Sequence, residues 1–192
     1  MKYYYFIAVI MLVSFSSCGT YNSFSTYYFE KINDLSELNG TYLNEEVDSI
    51  SGFSWGSHEN SQMLTFFGCL ECIDEDIETA IAIRRSIDSV TVQFPDDHTL
   101  LASYSVNDTV LSTELKGEKK GNYFEIYFHK KQFIIPLIYG KVSVDRLRIG
   151  RYKNTNNLYI RNYNEQLDWF LIIAGGNRGA GEKSYLYKKT SD

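Results

Sequence analysis

Two cysteines three residues apart, Cys69 and Cys72, are the clearest candidates for chemistry in this chain. On a helix, residues at this spacing face the same side, so the two thiols can meet. Redox chemistry would need a thiol pKa lowered by a helix N-terminus or by nearby cations. Glu71 and residues 74–76 are acidic instead and raise that pKa. The pattern favours a local structural disulfide; free buried thiols, thiol-disulfide exchange and metal binding remain alternatives.

No other set of residues indicates catalysis. His58, His98 and His129 are isolated in the sequence, whereas a zinc site needs several Cys or His ligands at close spacing. Residues 176–184 imitate a phosphate-binding loop, but Glu182 interrupts the required Gly-Lys pair, and we expect a strand to follow rather than a helix. A mobile hairpin loop is the expectation there. The sequence therefore predicts no enzyme, no metal and no cofactor.

The elements that must carry these residues are mostly strands. With 16 Tyr, 12 Phe and only 2 Pro, the composition favours strands over helices. From residue 86 onward, apolar and polar residues alternate, and turn residues interrupt the alternation at short intervals. This pattern predicts an antiparallel meander. Its strands are expected near residues 90–94, 100–106, 111–115, 123–128, 142–149, 158–160, 169–173 and 183–188.

Several boundaries are marked by breaks in the alternation. We expect a loop at residues 117–121 and the end of a strand at residues 129–131. The apolar run 133–138 contains Pro136, which cannot donate to a ladder and indicates an edge, a bulge or a strand end.

A helical insert is predicted between the first and second strands. Residues 38–43 form the expected first strand, and the apolar period then changes from two residues to that of a helix. One apolar stripe runs through residues 63–70 and another through residues 73–81, where acidic residues 74–76 suit a first helical turn. Two short helices are therefore expected within an insert at about residues 57–83.

The N-terminus has the features of an export signal. Lys2 is followed by an apolar stretch at residues 6–13 and by small residues before Cys18. The stretch is shorter than the ~20 residues that a transmembrane helix needs. The segment resembles a bacterial lipoprotein signal peptide, which implies a signal at residues 1–17, a lipidated Cys18 with a tether to residue 34, and one domain over residues 35–192. An ordinary secretory signal cut beyond Cys18 is the alternative.

Lipidation of Cys18 would anchor the protein to a membrane without spanning it. The resemblance implies a cell-envelope location, and we expect the periplasmic side. Without the leader, 18 basic residues face 24 acidic ones, so the mature charge is about −6. No basic cluster is long enough to follow a phosphate backbone, so nucleic acid is excluded as a partner.

A first strand beginning Gly40-Thr41-Tyr42, a helical insert and an up-and-down run of strands resemble the calycin group, which contains the lipocalins and the fatty-acid-binding proteins. The chain is also similar to lipocalin-like bacterial lipoproteins of unknown function. The resemblance implies an all-β barrel of about eight strands. The side chains expected to line its interior are Phe94, Tyr104, Phe124, Ile126, Leu147 and Trp169. Phe66 and Phe67 on the helical insert would form a lid over a hollow barrel.

Two binding roles follow from this expectation. If the barrel is hollow, it binds a small apolar ligand. If side chains fill it, the protein is a scaffold that binds an envelope protein through exposed aromatics and the glycine-rich loop. Thiol-disulfide exchange at Cys69 and Cys72 is a third hypothesis.

Overall fold

The fold is a single antiparallel sheet of nine strands that curls into a nearly closed barrel. The computed structural model describes residues 28–48, 62–67, 77–135, 138–170 and 176–190, so Cys18, Cys69 and Cys72 lie outside the described residues. The strands are β1 (Gly40–Asp48), β2 (Ser89–Asp96), β3 (Thr99–Val106), β4 (Thr109–Lys116), β5 (Glu118–Lys120), β6 (Tyr123–Ile135), β7 (Tyr139–Arg151), β8 (Leu158–Phe170) and β9 (Gly176–Lys189).

The strand order confirms the predicted meander. Neighbours in the sheet follow the order β4-β3-β2-β1-β9-β8-β7-β6-β5, so the first and last strands pair in the middle. Nine strands are present, because residues 118–120, expected as loop, pair with the start of β6 as a short strand, while the segments expected at residues 158–160 and 169–173 form one strand. At the β3–β4 turn, Asn107 and Asp108 take positive φ values of 47° and 64°, the conformation that a two-residue hairpin requires.

The helical insert is confirmed where the structure describes it. A 3₁₀ helix (Leu35–Leu38) precedes β1, and two α-helices, α1 (Leu64–Phe67) and α2 (Ile77–Ser86), lie between β1 and β2. Helix α2 ends five residues later than the predicted residue 81. Both predicted helices also include residues within 68–76, which lie outside the described residues.

Strands β6, β8 and β9 differ most from the predicted bounds. Strand β6 does not end at residues 129–131 but continues to Ile135, because each of those residues pairs with β7. Strand β8 runs unbroken from Leu158 to Phe170 where two separate segments were expected. The predicted hairpin loop at residues 176–184 is wrong, since this segment is the first half of β9 and pairs with β8 throughout.

Buried side chains from both halves of the sheet pack together inside the barrel. One cluster of buried side chains combines residues from β1 to β3, β6 to β9, the 3₁₀ helix and α1. A second, smaller cluster lies on the outer face of β6, β8 and β9, where Phe29 packs against Tyr123, Tyr159 and Leu186. Phe29 also bridges to Tyr152, which fixes the N-terminal segment at the β7–β8 end of the barrel.

Candidate functional site

The residues predicted to line the barrel interior come together in its core. Phe94, Tyr104, Phe124, Ile126 and Leu147 are all buried members of one cluster. Phe94 and Phe124 meet edge to face across the barrel, with ring centroids 5.1 Å apart. Because β2 and β6 lie in opposite halves of the sheet, this contact joins the two halves inside the barrel.

Phe66 and Phe67, predicted as a lid, are also part of this core. Both are buried in the main cluster, and the Phe66 ring lies 4.8 Å from that of Tyr185. Trp169 is placed differently. It is the next-to-last residue of β8, and its backbone pairs with Gly140 on β7 and with Gly176 on β9. Its side chain is outside the described residues.

Asn44, which the sequence analysis did not single out, fixes the helical insert. It is buried on β1, and its side-chain amide donates to the Ile87 carbonyl at 2.9 Å. Its side-chain oxygen accepts from the Leu64 amide at 3.1 Å, and its backbone carbonyl accepts from Met63 at 2.8 Å. One polar residue therefore connects β1, the start of α1 and the end of α2. The burial of Asn44 could have been predicted, since strand alternation places it on the same inward face as Tyr42.

The outer face of the barrel carries a row of charged side chains, several of them buried, that the sequence analysis also missed. We call it the ladder, and it contains Glu125, Arg146, Arg148, Arg161 and Glu182. Glu125 is 1% exposed and Arg148, its direct neighbour on β7, is 2% exposed. The Glu125 carboxylate accepts from Arg148 Nε at 2.7 Å and from the Tyr127 hydroxyl at 2.8 Å. Lys120 Nζ lies 3.0 Å and Arg146 3.6 Å from the same carboxylate. Both carboxylate oxygens of Glu125 therefore have a hydrogen-bond donor and a cation beside them.

These contacts shift the ionisation of both groups. Burial alone would raise the pKa of Glu125, but the hydrogen bonds from Arg148, Tyr127 and Lys120 outweigh it and hold the pKa of this carboxyl below its usual range. Burial likewise disfavours the charged form of Arg148, but the neighbouring Glu125 raises its pKa. Both groups therefore stay charged at neutral pH.

The ladder continues across β8 around one tyrosine ring. The guanidinium carbons of Arg146, Arg148 and Arg161 lie 4.9, 5.0 and 5.1 Å from the centre of the Tyr163 ring. Arg161 in turn forms an ion pair with Glu182 on β9. Because these cations are paired and mutually covered, we assign the ladder a structural role rather than an anion-binding one.

Beyond the ladder, the four longest strands continue past the residues of the core clusters. A β-bulge in β6 between Tyr127 and His129 lies where this continuation begins. From there, residues 128–135, 138–146, 164–170 and 176–183 form a four-stranded segment, which we call the sheet extension. None of its described side chains belongs to either core cluster. The eight residues from Leu147 to Tyr139 give it a length of about 26 Å.

The sheet extension exposes apolar side chains beside basic ones. Phe128, Phe133, Ile135 and Ile138 are exposed, and Phe133 pairs directly with Lys141 across the β6–β7 ladder. A shallow depression of about 660 Å³ on this segment is lined by the following residues: His129, Lys130, Lys131, Gln132, Phe133, Lys141, Ser143 and Gln166. The sheet extension therefore combines exposed apolar and basic side chains on one described surface.

Within the described part of the chain, no group of three or more His, Cys, Asp or Glu side chains could hold a metal. No described helix is long and apolar enough to cross a membrane. Comparisons with protein-family models, with curated proteins and with solved structures find no match to this chain.

Proposed function

We propose that the protein is a lipid-anchored cell-envelope scaffold that acts by binding rather than catalysis, and that the sheet extension is its binding surface. The lipoprotein-like leader with Cys18 supports the location. The anchor, the periplasmic side and the absence of an enzymatic activity all belong to this proposal.

One observation favours the scaffold over a ligand carrier. The described side chains that would line a pocket contact one another instead, as the Phe94 and Phe124 rings do at 5.1 Å. Apolar surface is available outside the barrel, since four of the eight large apolar residues exposed in the described chain lie in the sheet extension. Exposed aromatic and aliphatic side chains on a rigid element are the usual anchors of an interface.

Mass spectrometry tests this proposal. The chain purified from Gly19 onward is measured first under native and then under denaturing conditions. We expect the polypeptide mass in both, lowered at most by the two hydrogens of a Cys69–Cys72 disulfide. A discrete additional mass that is lost on denaturation would contradict the scaffold and support the small apolar ligand.

The anchor is tested separately in a Gram-negative host that receives labelled palmitate. We expect the full chain to incorporate label and to fractionate with membranes, and Cys18→Ser to do neither. Because Cys18 is the one cysteine in the lipoprotein-like leader, Cys69→Ser is the matched control and should retain the label. Incorporation into Cys18→Ser would contradict the anchor.

A further inference from the structure

From the sheet extension we infer that its partner is an anionic lipid surface, which the free end of the four strands contacts directly. This inference rests on the proposed function, because it assigns a partner to the same surface. It comes from three features of that end: its apolar residues, its charge and its distance from the core.

The first feature is an apolar rim on the last residues of the β6–β7 hairpin. Phe133 is 57% exposed and Ile138 is 51% exposed, and Ile135 between them is also exposed. The Phe133 ring lies 6.2 Å from that of Tyr139 on the neighbouring strand, so two aromatic rings sit side by side near the hairpin end. Aromatic and aliphatic side chains at the end of a hairpin suit the boundary between headgroups and acyl chains.

The second feature is the charge behind this rim. Among residues 130–135, 138–143, 166–170 and 176–180, four are basic and one, Asp168, is acidic. The chain as a whole has a net charge of −5, so the local excess of positive charge at this end is opposite in sign to the charge of the protein. Lys130, Lys131 and Lys141 are exposed and lie two or three residues along the chain from the nearest rim residue. Lys141 also lies 3.9 Å from the Asp168 carboxylate. Long lysine side chains in that position can reach lipid phosphates while apolar neighbours enter the interface.

The third feature is the separation between this end and the core. The rim lies about 26 Å beyond Leu147 along β7, so it can enter the interface without unpacking the barrel. Phe29, at the opposite end of the long strands, holds the N-terminal segment against Tyr152. The end that carries the lipid tether and the end that contacts lipid are therefore different, and the protein has two separate attachments to lipid.

Vesicle flotation tests the contact without the anchor. Every residue of both core clusters lies between Phe29 and Tyr187, so a chain that begins at Gly19 keeps the complete core. We expect it to float with vesicles of equal parts phosphatidylcholine and phosphatidylglycerol ~tenfold better than with phosphatidylcholine alone, and to lose this binding in high salt.

Two variants locate the contact. Phe133→Ser combined with Ile138→Ser removes the apolar rim, and Lys130→Glu combined with Lys131→Glu reverses the charge behind it. Each pair should lower flotation by about tenfold. The matched controls are Val110→Ser, which removes a residue 72% exposed in the β4 edge strand, and Lys188→Glu, which reverses an exposed lysine of β9. Both controls should float like the parent chain, and all variants should keep its thermal midpoint.

The outcomes separate this inference from the proposed function. Absence of flotation, or flotation that the rim and charge variants leave unchanged, overturns the lipid contact and leaves the scaffold standing. Capture of an envelope protein that those variants abolish, without flotation, likewise replaces lipid by protein as the partner. A ligand mass found in the native spectrum contradicts the scaffold whatever the vesicles show.

Discussion

Arg148 donates from Nε to Glu125 Oε1 at 2.7 Å between directly paired positions of β7 and β6, and both side chains are buried on the outside of the barrel. Both charged groups are removed from water, and each interacts with the other instead. Such a pair is costly to break from one side, because the remaining charge is then buried without its partner.

We therefore predict that Arg148→Met lowers the free energy of unfolding by about 1–3 kcal/mol, because Glu125 keeps its charge and loses its strongest donor while Lys120 and Tyr127 stay in place. The double variant Arg148→Met with Glu125→Gln should recover part of this loss, since it no longer buries a carboxylate that has lost its main donor. Urea unfolding at pH 7 measures both. The control is Glu114→Gln, which breaks the exposed pair with Lys116 and should change stability by about 0–1 kcal/mol. Equal effects at the two sites would contradict the buried pair's role.

The same pair predicts how stability depends on pH. The pKa of Glu125 is lowered in the folded state from its ordinary value of 4.5, so folding is favoured by the ionised form. This contribution is complete at pH values above 4.5 and is lost as the pH falls through the lowered pKa of the folded state. The stability difference between the parent chain and Glu125→Gln should therefore shrink on acidification below pH 4.5. A difference that stays constant down to pH 2 in urea titrations would contradict the assignment.

The inner face of the sheet could be predicted from the sequence, whereas the ladder could not. Strand alternation predicts Val90, Val92 and Phe94 on one face of β2, and all three are buried in the core. The same alternation predicts Glu125 on the face opposite Phe124 and Ile126, but its burial depends on Arg148 being its direct cross-strand partner. That register joins residues 23 positions apart and passes a turn and a bulge, neither of which local patterning determines.

The glycine-rich segment 176–184 is a case in which a local preference predicted the wrong structure. Gly176, Gly179 and Gly181 disfavour a strand locally, which is why a loop was predicted. In the fold this segment pairs residue by residue with β8, from Trp169↔Gly176 to Asn164↔Gly181. Continuous backbone pairing with a neighbouring strand outweighs a local preference that spans at most ~1 kcal/mol per residue.

A filled barrel makes a definite prediction for its central aromatic contact. Phe124→Ala should lower the free energy of unfolding by about 3–5 kcal/mol, because it leaves a cavity where the ring meets Phe94. Phe133→Ala, which truncates an exposed ring of the sheet extension, is the matched control and should stay within about 0.5 kcal/mol. Urea unfolding of the ligand-free chain measures both. A loss near 1 kcal/mol at Phe124 would instead indicate a ring that faces an open cavity.

Gly150 on β7 leaves the space in which the N-terminal segment docks. A Cβ added there would lie 2.4 Å from a carbon of the Phe29 ring and 2.9 Å from the Asn122 carbonyl oxygen. Phe29 is held between the rings of Tyr123 and Tyr159, each with its centroid 5.1 Å away. Gly150→Ala should therefore displace Phe29 and reduce stability by about 1–3 kcal/mol, because the surrounding rings and the backbone carbonyl leave the methyl group no room.

The displacement of Phe29 can be read at a single backbone hydrogen bond. The Glu30 amide donates to the Arg151 carbonyl at 2.9 Å, so its hydrogen exchange should become much faster in Gly150→Ala, while amides of β3 keep their protection. Gly181→Ala is the matched control in another strand, since an added Cβ there meets nothing closer than the Asn164 oxygen at 3.9 Å. Unchanged exchange at Glu30 in Gly150→Ala would mean that the segment docks without the space at Gly150. Faster exchange confined to this segment would identify Phe29 as the side chain that holds the N-terminal segment against the barrel.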